Sequence, residues 1–159
     1  MGESAAHGKP LQAYARPFGE TCYGCGANNV RGLRIESHWD GDEAVCTWQP
    51  AEHHMSKPGI LNGGVIATLM DCHCACAAIA AAYRAEGRGP GSAPDIVMVT
   101  GSLRVEYLKP TPLAGPVRLR ARVAELTGRK AVLECSLWAG ELETARGQVV
   151  MIRPGNAAP

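Results

Sequence analysis

Residues 59–78 read GILNGGVIATLMDCHCACAA, and this stretch decides the expected fold because it begins the longest apolar run of the chain. The run from Gly59 to Tyr83 is rich in alanine but contains Asp71 and a histidine. It is therefore a poor membrane span, and its length fits a buried helix. We expect a helix from about Gly63 to Arg84. Asn62 is the expected N-cap, because its side-chain oxygen can accept hydrogen bonds from first-turn amides.

A helical wheel divides this helix into two faces. The apolar side opposite Asp71 is the predicted core face, and its members are Ile66, Leu69, His73, Cys76 and Ala80, flanked by Val65, Cys72 and Tyr83. The residues around Asp71 are almost all small, namely Gly64, Ala67, Ala75, Ala78 and Ala82, with Thr68 and Cys74 nearby. Small residues let another backbone or a thin ligand approach closely.

The rest of the chain is dominated by strand patterns. Two strands are expected before the helix, GLRIESHWD at 32–40 and EAVCTWQP at 43–50, and residues 51–62 are expected to form a loop. Four strands are expected after the helix, within 95–110, 115–127, 131–140 and 141–154, the first bending at Gly101. Because βαβ alternation is absent, we predict an α+β fold with one helix on an antiparallel sheet of about six strands.

Length and charge limit the functional classes. The 159 residues fit one domain, and the net charge of +1 gives no reason to expect nucleic acid or a membrane surface as a partner. Residues 1–16 and 154–159 are expected to be flexible tails around a single domain at 17–153. The sequence MGESAAHGKP contains no apolar signal segment, so we expect a cytoplasmic protein.

The seven cysteines raise the question of a metal site. Cys72, Cys74 and Cys76 point in three directions and cannot bind one metal ion together. Cys72 with Cys76, or His73 with Cys76, has helical spacing and could join the CYGC sequence at 22–25 in a four-ligand zinc site. The alternative, which we favour, is that these are reduced core residues. The expected state is therefore free of metal and cofactor.

Asp71 is a candidate functional residue because of its position relative to the start of the helix. Gly63 and Gly64 open the helix, where free amides carry partial positive charge and glycine allows close approach. Asp71 follows two turns later. An amide that can bind an oxyanion, together with a partly desolvated carboxylate, is suited to acyl transfer.

Three stretches carry a resemblance to known sequences, namely CYGCGANNVRGLRI at 22–35, PGILNGGVIATLMD at 58–71 and SLRVEYLKPTP at 102–112. Together they resemble the hotdog-fold acyl-CoA thioesterases, specifically the phenylacetate-pathway (PaaI-like) branch. The resemblance implies a strongly curved antiparallel sheet wrapped around one long helix. It also implies a homodimer with a continuous sheet, often paired into a homotetramer, with active sites at the dimer interface.

The resemblance also implies residue roles. Asp71 matches the catalytic carboxylate, acting as general base on water or as a nucleophile that forms a mixed anhydride. Gly63 matches the glycine whose amide polarises the thioester carbonyl, and Gly64 shapes the same turn. Asn62 stands where the family usually has histidine, so it can hydrogen-bond but cannot exchange a proton near neutral pH. His54 matches a histidine of the preceding loop, where scaffolding is favoured over catalysis.

The expected substrate is an aromatic or medium-chain acyl-CoA. The residues expected to contact it are Gly64, His54, Ser56, Leu61 and Lys57, and Met55, Met70 and Met98 could line the acyl pocket. Coenzyme A phosphates need cations, for which Lys57 and Arg129–Lys130 are favoured. The remaining cations, Lys109, Arg118, Arg120 and Arg122, are expected to lie on a solvated surface.

Two other functions stay open at this stage. One is a hotdog-fold dehydratase or hydratase acting on 3-hydroxyacyl thioesters, which would need a histidine beside Asp71. The other is a protein that does not catalyse a reaction. It would bind acyl thioesters, or respond to zinc or redox conditions through its cysteines.

Overall fold

A computed structural model describes residues 8–155. Its centre is α1, a helix of 23 residues from Gly63 to Ala85, within one residue of the predicted bounds. Asn62 is the N-cap, as predicted, because its Oδ1 accepts hydrogen bonds from the amides of Gly64 (2.8 Å) and Val65 (3.2 Å). The chain leaves the helix through Gly87, whose φ of +65° favours glycine.

Within the described residues, eight strands accompany the helix. Their bounds are β1 Ser37–Asp40, β2 Glu43–Trp48, β3 Met55–Lys57, β4 Ile60–Leu61, β5 Val99–Tyr107, β6 Val117–Leu126, β7 Lys130–Ala139 and β8 Leu142–Ile152. Six of them form one antiparallel sheet in the order β1–β2–β6–β7–β8–β5. Because α1 packs against β5 to β8, the predicted α+β architecture is confirmed.

The core lies between α1 and the sheet. The predicted core face of the helix is buried, and on β6 the side chains of Val117, Leu119 and Ala121 are buried while the alternating arginines are exposed. Burial extends further round α1 than predicted, because Ala78 and Ala82 are only 0% and 6% exposed. The small-residue face is therefore open only along the first half of the helix.

By length and composition, α1 could cross a membrane. However, 67% of its most apolar 18-residue segment is buried inside the fold. The helix thus has the burial of a core helix. The strand after it has a register shift at Gly101, the position of the predicted bend. The β5–β8 register shifts between Thr100 and Ser102, and a Cβ on Gly101 would lie 2.8 Å from a carbon of Ile152.

Two predictions about the segments before α1 are wrong in detail. The first strand begins at Ser37 rather than at residue 32, because the amides of Leu33 and Ile35 donate to the carbonyl oxygens of Tyr23 (2.7 Å) and Gly24 (3.1 Å) instead of to the sheet. The predicted loop at 51–62 contains a 3-10 turn at Glu52–His54 and the β3–β4 hairpin.

The predicted N-terminal tail is also too long. Leu11–Ala15 forms a 3-10 helix that contacts α1, and Leu11 is 1% exposed. Gln12 binds Ser37 twice, from its Nε2 to the serine Oγ (3.1 Å) and from the serine amide to its Oε1 (2.9 Å). Residues 1–7 and 156–159, which belong to the two predicted tails, lie outside the described residues.

Candidate functional site

The first turn of α1 offers one uncommitted backbone amide. Asn62 Oδ1 occupies the amides of Gly64 and Val65, and the amide of Ile66 donates to the Asn62 carbonyl oxygen (3.1 Å). Within residues 8–155, the amide of Gly63 has no acceptor. A substrate oxygen could therefore bind this amide at the positive end of the helix dipole.

Tyr107 of β5 packs against this turn. Its hydroxyl donates to the carbonyl oxygen of Gly63 (2.7 Å), and a Cβ on Gly63 would lie 3.3 Å from the ring. Tyr107 thus fixes the backbone orientation of Gly63 and leaves little room for a side chain. Sequence reasoning missed Tyr107, because nothing marks it until the register of β5 relative to α1 is known.

Asp71 is half-buried on the open face of α1. The hydroxyl of Thr100, on β5, donates to Asp71 Oδ1 at 2.6 Å. The other carboxylate oxygen has no partner in the described part of the chain. The carboxylate is thus oriented by one oxygen while the other is available to a water molecule or a substrate. Thr100 was missed for the same reason as Tyr107.

The spacing of Gly63 and Asp71 limits what one chain can do. The step of eight positions from Gly63 to Asp71 corresponds to a rise of about 12 Å along the helix axis. An oxyanion donor and a general base must each lie about 3 Å from reacting atoms of the same carbonyl group or its attacking water. The two groups of a single chain are therefore too far apart to act on one thioester.

β5 lies at the edge of the sheet, next to both groups. It pairs only with β8 in the described structure, so one side of its backbone is free. Val99, Leu103 and Tyr107 are 50%, 37% and 54% exposed along this strand. A free edge of nine residues with exposed apolar side chains is a surface that native proteins normally cover.

His54 has structural contacts. Its Nδ1 accepts a hydrogen bond from the Ala51 amide (2.9 Å), and its carbonyl oxygen accepts one from the Asn62 amide (2.9 Å). The His54 ring lies 4.9 Å from the Trp48 ring. Burial, with a contribution from the neighbouring His53, lowers the pKa of the His54 imidazole. These contacts support the scaffolding role, in which His54 holds Asn62 at the helix start.

The remaining predicted contact residues fall into two groups. Ser56 and Lys57 are exposed on β3, and Gly64 is exposed at the helix start. Lys57 has no ion pair in the described part of the chain. Leu61 lies in the core at 2% exposure, as do Met70 and Met98 at 0% and 7%, so none of the three forms an open pocket wall in one chain.

The arginines of β6 lie on the sheet face opposite α1, where they form ion pairs. Arg120 and Arg122 also line a groove of about 860 Å³. Arg120 pairs with Glu43, Arg122 lies 3.7 Å from the same carboxylate, and Arg118 donates to the Gly140 carbonyl oxygen (2.8 Å). Lys130 pairs with Glu125 at 3.5 Å. Arg118, Arg120 and Arg122 thus lie on the solvated surface expected for them. The favoured contact of Lys130 with a coenzyme A phosphate stays a prediction.

Four cysteines gather on the other side of α1. The sulfurs of Cys22, Cys25 and Cys72 all lie within 4.8 Å of one another. The Cys22–Cys72 distance is 3.6 Å, and Cys76 Sγ lies 3.9 Å from Cys25 Sγ. Hydrogen bonding from the helix thiols lowers the pKa of the Cys25 thiol and brings that of Cys22 to about 7. Cys74 faces Cys135 of β7 instead.

His73 is completely buried beside this cluster and does not join it. Its Nε2 lies 3.1 Å from the Ala44 carbonyl oxygen, which can only accept, so the Nε2 carries the proton. Its Nδ1 then accepts from the Ser37 hydroxyl (2.8 Å), which in turn is bound by Gln12. This chain of hydrogen bonds ties the N-terminal 3-10 helix, β1 and β2 to α1.

Comparison with known sequences places the chain in a family. The sequence profile described as "Thioesterase superfamily" matches residues 58–146. "Acyl-coenzyme A thioesterase THEM4" of Rattus norvegicus is 28% identical over 108 residues, which are 68% of this chain and 41% of that protein. The chain thus spans less than half the length of the curated relatives it matches.

Solved structures agree. A thioesterase superfamily protein from Shewanella loihica is 32% identical, with a TM-score of 0.63 over 76% of this chain and 91% of that one. A Streptococcus mutans protein bound to acetyl-CoA is 17% identical, with a TM-score of 0.63 over 76% and 89% of the two chains, and shows likeness of fold alone. The chain therefore belongs to the thioesterase superfamily and has the hotdog fold, as the sequence resemblance predicted.

Proposed function

We propose that this protein is an acyl-CoA thioesterase of the PaaI-like branch, which hydrolyses an aromatic or medium-chain acyl-CoA to the free acid and coenzyme A. The observation that carries the proposal is the free Gly63 amide at the start of α1, with an oriented carboxylate, Asp71, on the same helix. The name of the rat relative supports coenzyme A thioesters as the substrate class. The choice of acyl group rests on the PaaI-like sequence resemblance.

The chemistry follows from these groups. The Gly63 amide donates to the thioester carbonyl oxygen and stabilises the negative charge that develops there. Asp71 takes a proton from water as the water oxygen bonds to the carbonyl carbon. The carbon–sulfur bond then breaks, and the proton passes to the departing thiolate. Alternatively, an Asp71 oxygen attacks the carbonyl carbon, and the carbon–sulfur bond breaks to give an anhydride and the thiolate of coenzyme A. Water then hydrolyses the anhydride to release the acid, and it supplies the proton that the thiolate takes up. In either route Thr100 holds one oxygen of the carboxylate.

The complete site requires two copies of the chain. One protomer supplies Asp71 and the other supplies the Gly63 amide, since the rise of about 12 Å separates the two groups within one helix. The free edge of β5, with Leu103 and Tyr107 exposed on it, is the surface on which the second copy docks. Further pairing into a tetramer remains a prediction.

Asn62 has a structural task in this scheme. By occupying the amides of Gly64 and Val65 it leaves the Gly63 amide as the free donor of the first turn. This task needs an oxygen acceptor and no proton exchange, so the departure from histidine is compatible with hydrolysis. Lys57, exposed near the helix start without an ion pair in residues 8–155, is the proposed contact for a coenzyme A phosphate.

A dehydratase needs a histidine beside Asp71 that is free to exchange a proton, and neither His73 nor His54 is free in this way. Both ring nitrogens of His73 are hydrogen-bonded inside the core, and the Nδ1 of His54 holds the Ala51 amide. The expected cytoplasmic location, and the expectation that neither nucleic acid nor a membrane is a partner, stay predictions.

The test is thiol release from a panel of acyl-CoA thioesters, followed with a thiol-reactive dye. We expect turnover of an aromatic or medium-chain substrate and a loss of about 10²-fold or more in kcat for Asp71→Asn. Asp95→Asn, at an exposed position beyond the helix, is the matched control and should keep wild-type activity. Turnover that survives Asp71→Asn would place the chemistry elsewhere. Binding without turnover by the folded protein would favour a non-catalytic acyl-thioester binding protein.

A further inference from the structure

We propose that Cys22, Cys25, Cys72 and Cys76 together bind one structural zinc ion, which fastens the N-terminal loop to α1. This site is separate from the hydrolytic groups, because Asp71 lies on the open face of α1 while Cys72 and Cys76 are buried on the other side. Hydrolysis as proposed above does not use the ion.

The sulfur positions fit a tetrahedral thiolate site. A zinc ion with Zn–S bonds of about 2.3 Å places its sulfurs about 3.8 Å apart. The Cys22–Cys72 and Cys25–Cys76 distances are 3.6 and 3.9 Å. Three of the sulfurs already lie within 4.8 Å of one another, and Cys76, outside that trio, has the furthest to move.

The two elements that supply the ligands have suitable geometry. Cys72 and Cys76 are one turn apart and therefore share a face of α1. Cys22 and Cys25 have the C-x2-C spacing that is common among structural zinc sites. Two ligands from a turn and two from a helix reach the same point in space, although they lie about 50 residues apart in sequence.

The turn is shaped to bring its backbone against the helix. A Cβ on Gly24 would lie 2.3 Å from Cys72 Sγ, and one on Gly26 would lie 2.5 Å from the Cys22 amide nitrogen. Glycine is therefore needed at position 24 for the approach to the helix, and at position 26 for the tight turn itself.

The other three cysteines differ from the four proposed ligands in their surroundings. Cys46, Cys74 and Cys135 are buried in the core between the helix and the sheet. The four sulfurs of the proposed site instead face one another where a loop meets the helix. Four thiolates leave no open position on zinc, so the ion would be structural.

The first test is metal content. The full-length protein is produced with zinc in the medium, passed through gel filtration in metal-free buffer, and analysed for zinc per chain. We expect about one zinc ion per chain in the wild type and in Cys74→Ala, a control on the same helix between the two ligands. We expect less than about a tenth of that amount in Cys72→Ala. A wild type without zinc, or a Cys72→Ala variant that keeps it, would overturn the proposal.

A second test avoids variants that fail to fold. The wild-type protein is unfolded in denaturant that contains a chelator and a reducing agent. After the chelator has been removed, it is refolded with cobalt(II). We expect the intense visible absorption of tetrahedral cobalt thiolate, which octahedral coordination by oxygen does not give. Absence of this absorption in refolded protein would contradict the site.

Two further results decide the ligand set. Cys76→Ala should release zinc to a chelator at least about tenfold faster than the wild type. An unchanged rate would show that Cys76 is not a zinc ligand. Intact-mass measurement of protein purified without reductant should show seven free thiols after zinc removal. A Cys22–Cys72 disulfide in that material would make the cluster a redox pair and overturn the zinc assignment.

Discussion

The two sides of α1 differ although their residues are neighbours in sequence. On one side, Cys72, His73 and Cys76 are buried, and their polar or sulfur atoms meet partners from the N-terminal segment of the same chain. On the other side, Asp71 is half-buried next to a free sheet edge, and only Thr100 binds it within the described structure. Residues of the same chain therefore cover the side of α1 that carries Cys72, His73 and Cys76, whereas the side that carries Asp71 stays open.

This difference separates stability from function along one helix. The closed side fixes the position and rotation of α1, because contacts from three other segments hold His73 and its neighbours. The open side keeps a carboxylate and a backbone amide available, and in the proposed scheme a second chain brings them together. Changes on the open side should therefore alter the rate of hydrolysis, and changes on the closed side should alter the free energy of unfolding.

The largest expected effect is on the open side. Gly63→Pro should lower kcat by about 10² to 10³, the usual result of removing one oxyanion donor. Proline removes the amide hydrogen but suits the first position of a helix. Asn62 already has the extended backbone, φ −64° and ψ 133°, that must precede proline. Steady-state thiol release and circular dichroism measure rate and folding together.

Gly63→Ala is the matched control for this change. It adds a Cβ at the same 3.3 Å from the Tyr107 ring but keeps the amide hydrogen. Its loss should stay within about tenfold if the amide is the important group. Equal losses in both variants would mean that crowding against Tyr107, and not the lost donor, slows the reaction.

The next effect tests the closed side. Burial lowers the pKa of His73 to about 4, from an ordinary 6.5. Below pH 6.5 the unfolded chain binds a proton that the folded chain excludes. The stabilisation by neutral His73 is thus complete above pH 6.5 and is lost as pH falls towards 4, by up to roughly 3 kcal/mol. Urea unfolding between pH 7.5 and 4 measures this loss.

His73→Gln supplies the reference for the pH series. A neutral amide can donate and accept but does not titrate in this range. The difference in unfolding free energy between wild type and variant should therefore shrink with falling pH. Parallel curves would show that His73 is protonated in the folded protein, against the closed environment described above.

The smallest of the three effects concerns the orientation of Asp71. Thr100→Val removes the hydroxyl that donates to Asp71 Oδ1 at 2.6 Å and keeps the shape of the side chain. We expect kcat to fall about tenfold, the range for losing a hydrogen bond to a charged group. Thr100→Ser, which keeps the donor, should lie within about threefold of wild type. Equal rates for Thr100→Val and wild type would show that the hydrogen bond does not orient the catalytic carboxylate.

Local sequence patterns predicted most of the fold. The 3.6-residue period located α1 and its core face, and Asn62 before two glycines marked its start. Alternation located β6, with arginines outside and Val117 and Leu119 inside. The errors occurred where tertiary hydrogen bonds replaced local preference. Leu33 and Ile35 bind the loop at 22–25, and Gln12 binds Ser37.

The site was predictable only as far as it lies on α1 and its cap. Asp71, Gly63 and Asn62 follow one another along a helix, so helical geometry relates them. Thr100 and Tyr107 come from a strand whose register, with its bulge at Gly101, is set by pairing with β8. The meeting of Cys22 and Cys25 with the helix cysteines likewise depends on how the loop folds back, and helical spacing allowed that meeting without requiring it.

The most direct measurement asks whether two chains share one active site. Asp71→Asn and Gly63→Pro subunits carrying different affinity tags are co-expressed, and mixed dimers are purified through both tags. If Asp71 of one protomer works with the Gly63 amide of the other, each mixed dimer contains one intact site and should show about half of wild-type activity, although both parent variants are nearly inactive. Mixed dimers no more active than the parent variants would contradict the shared site.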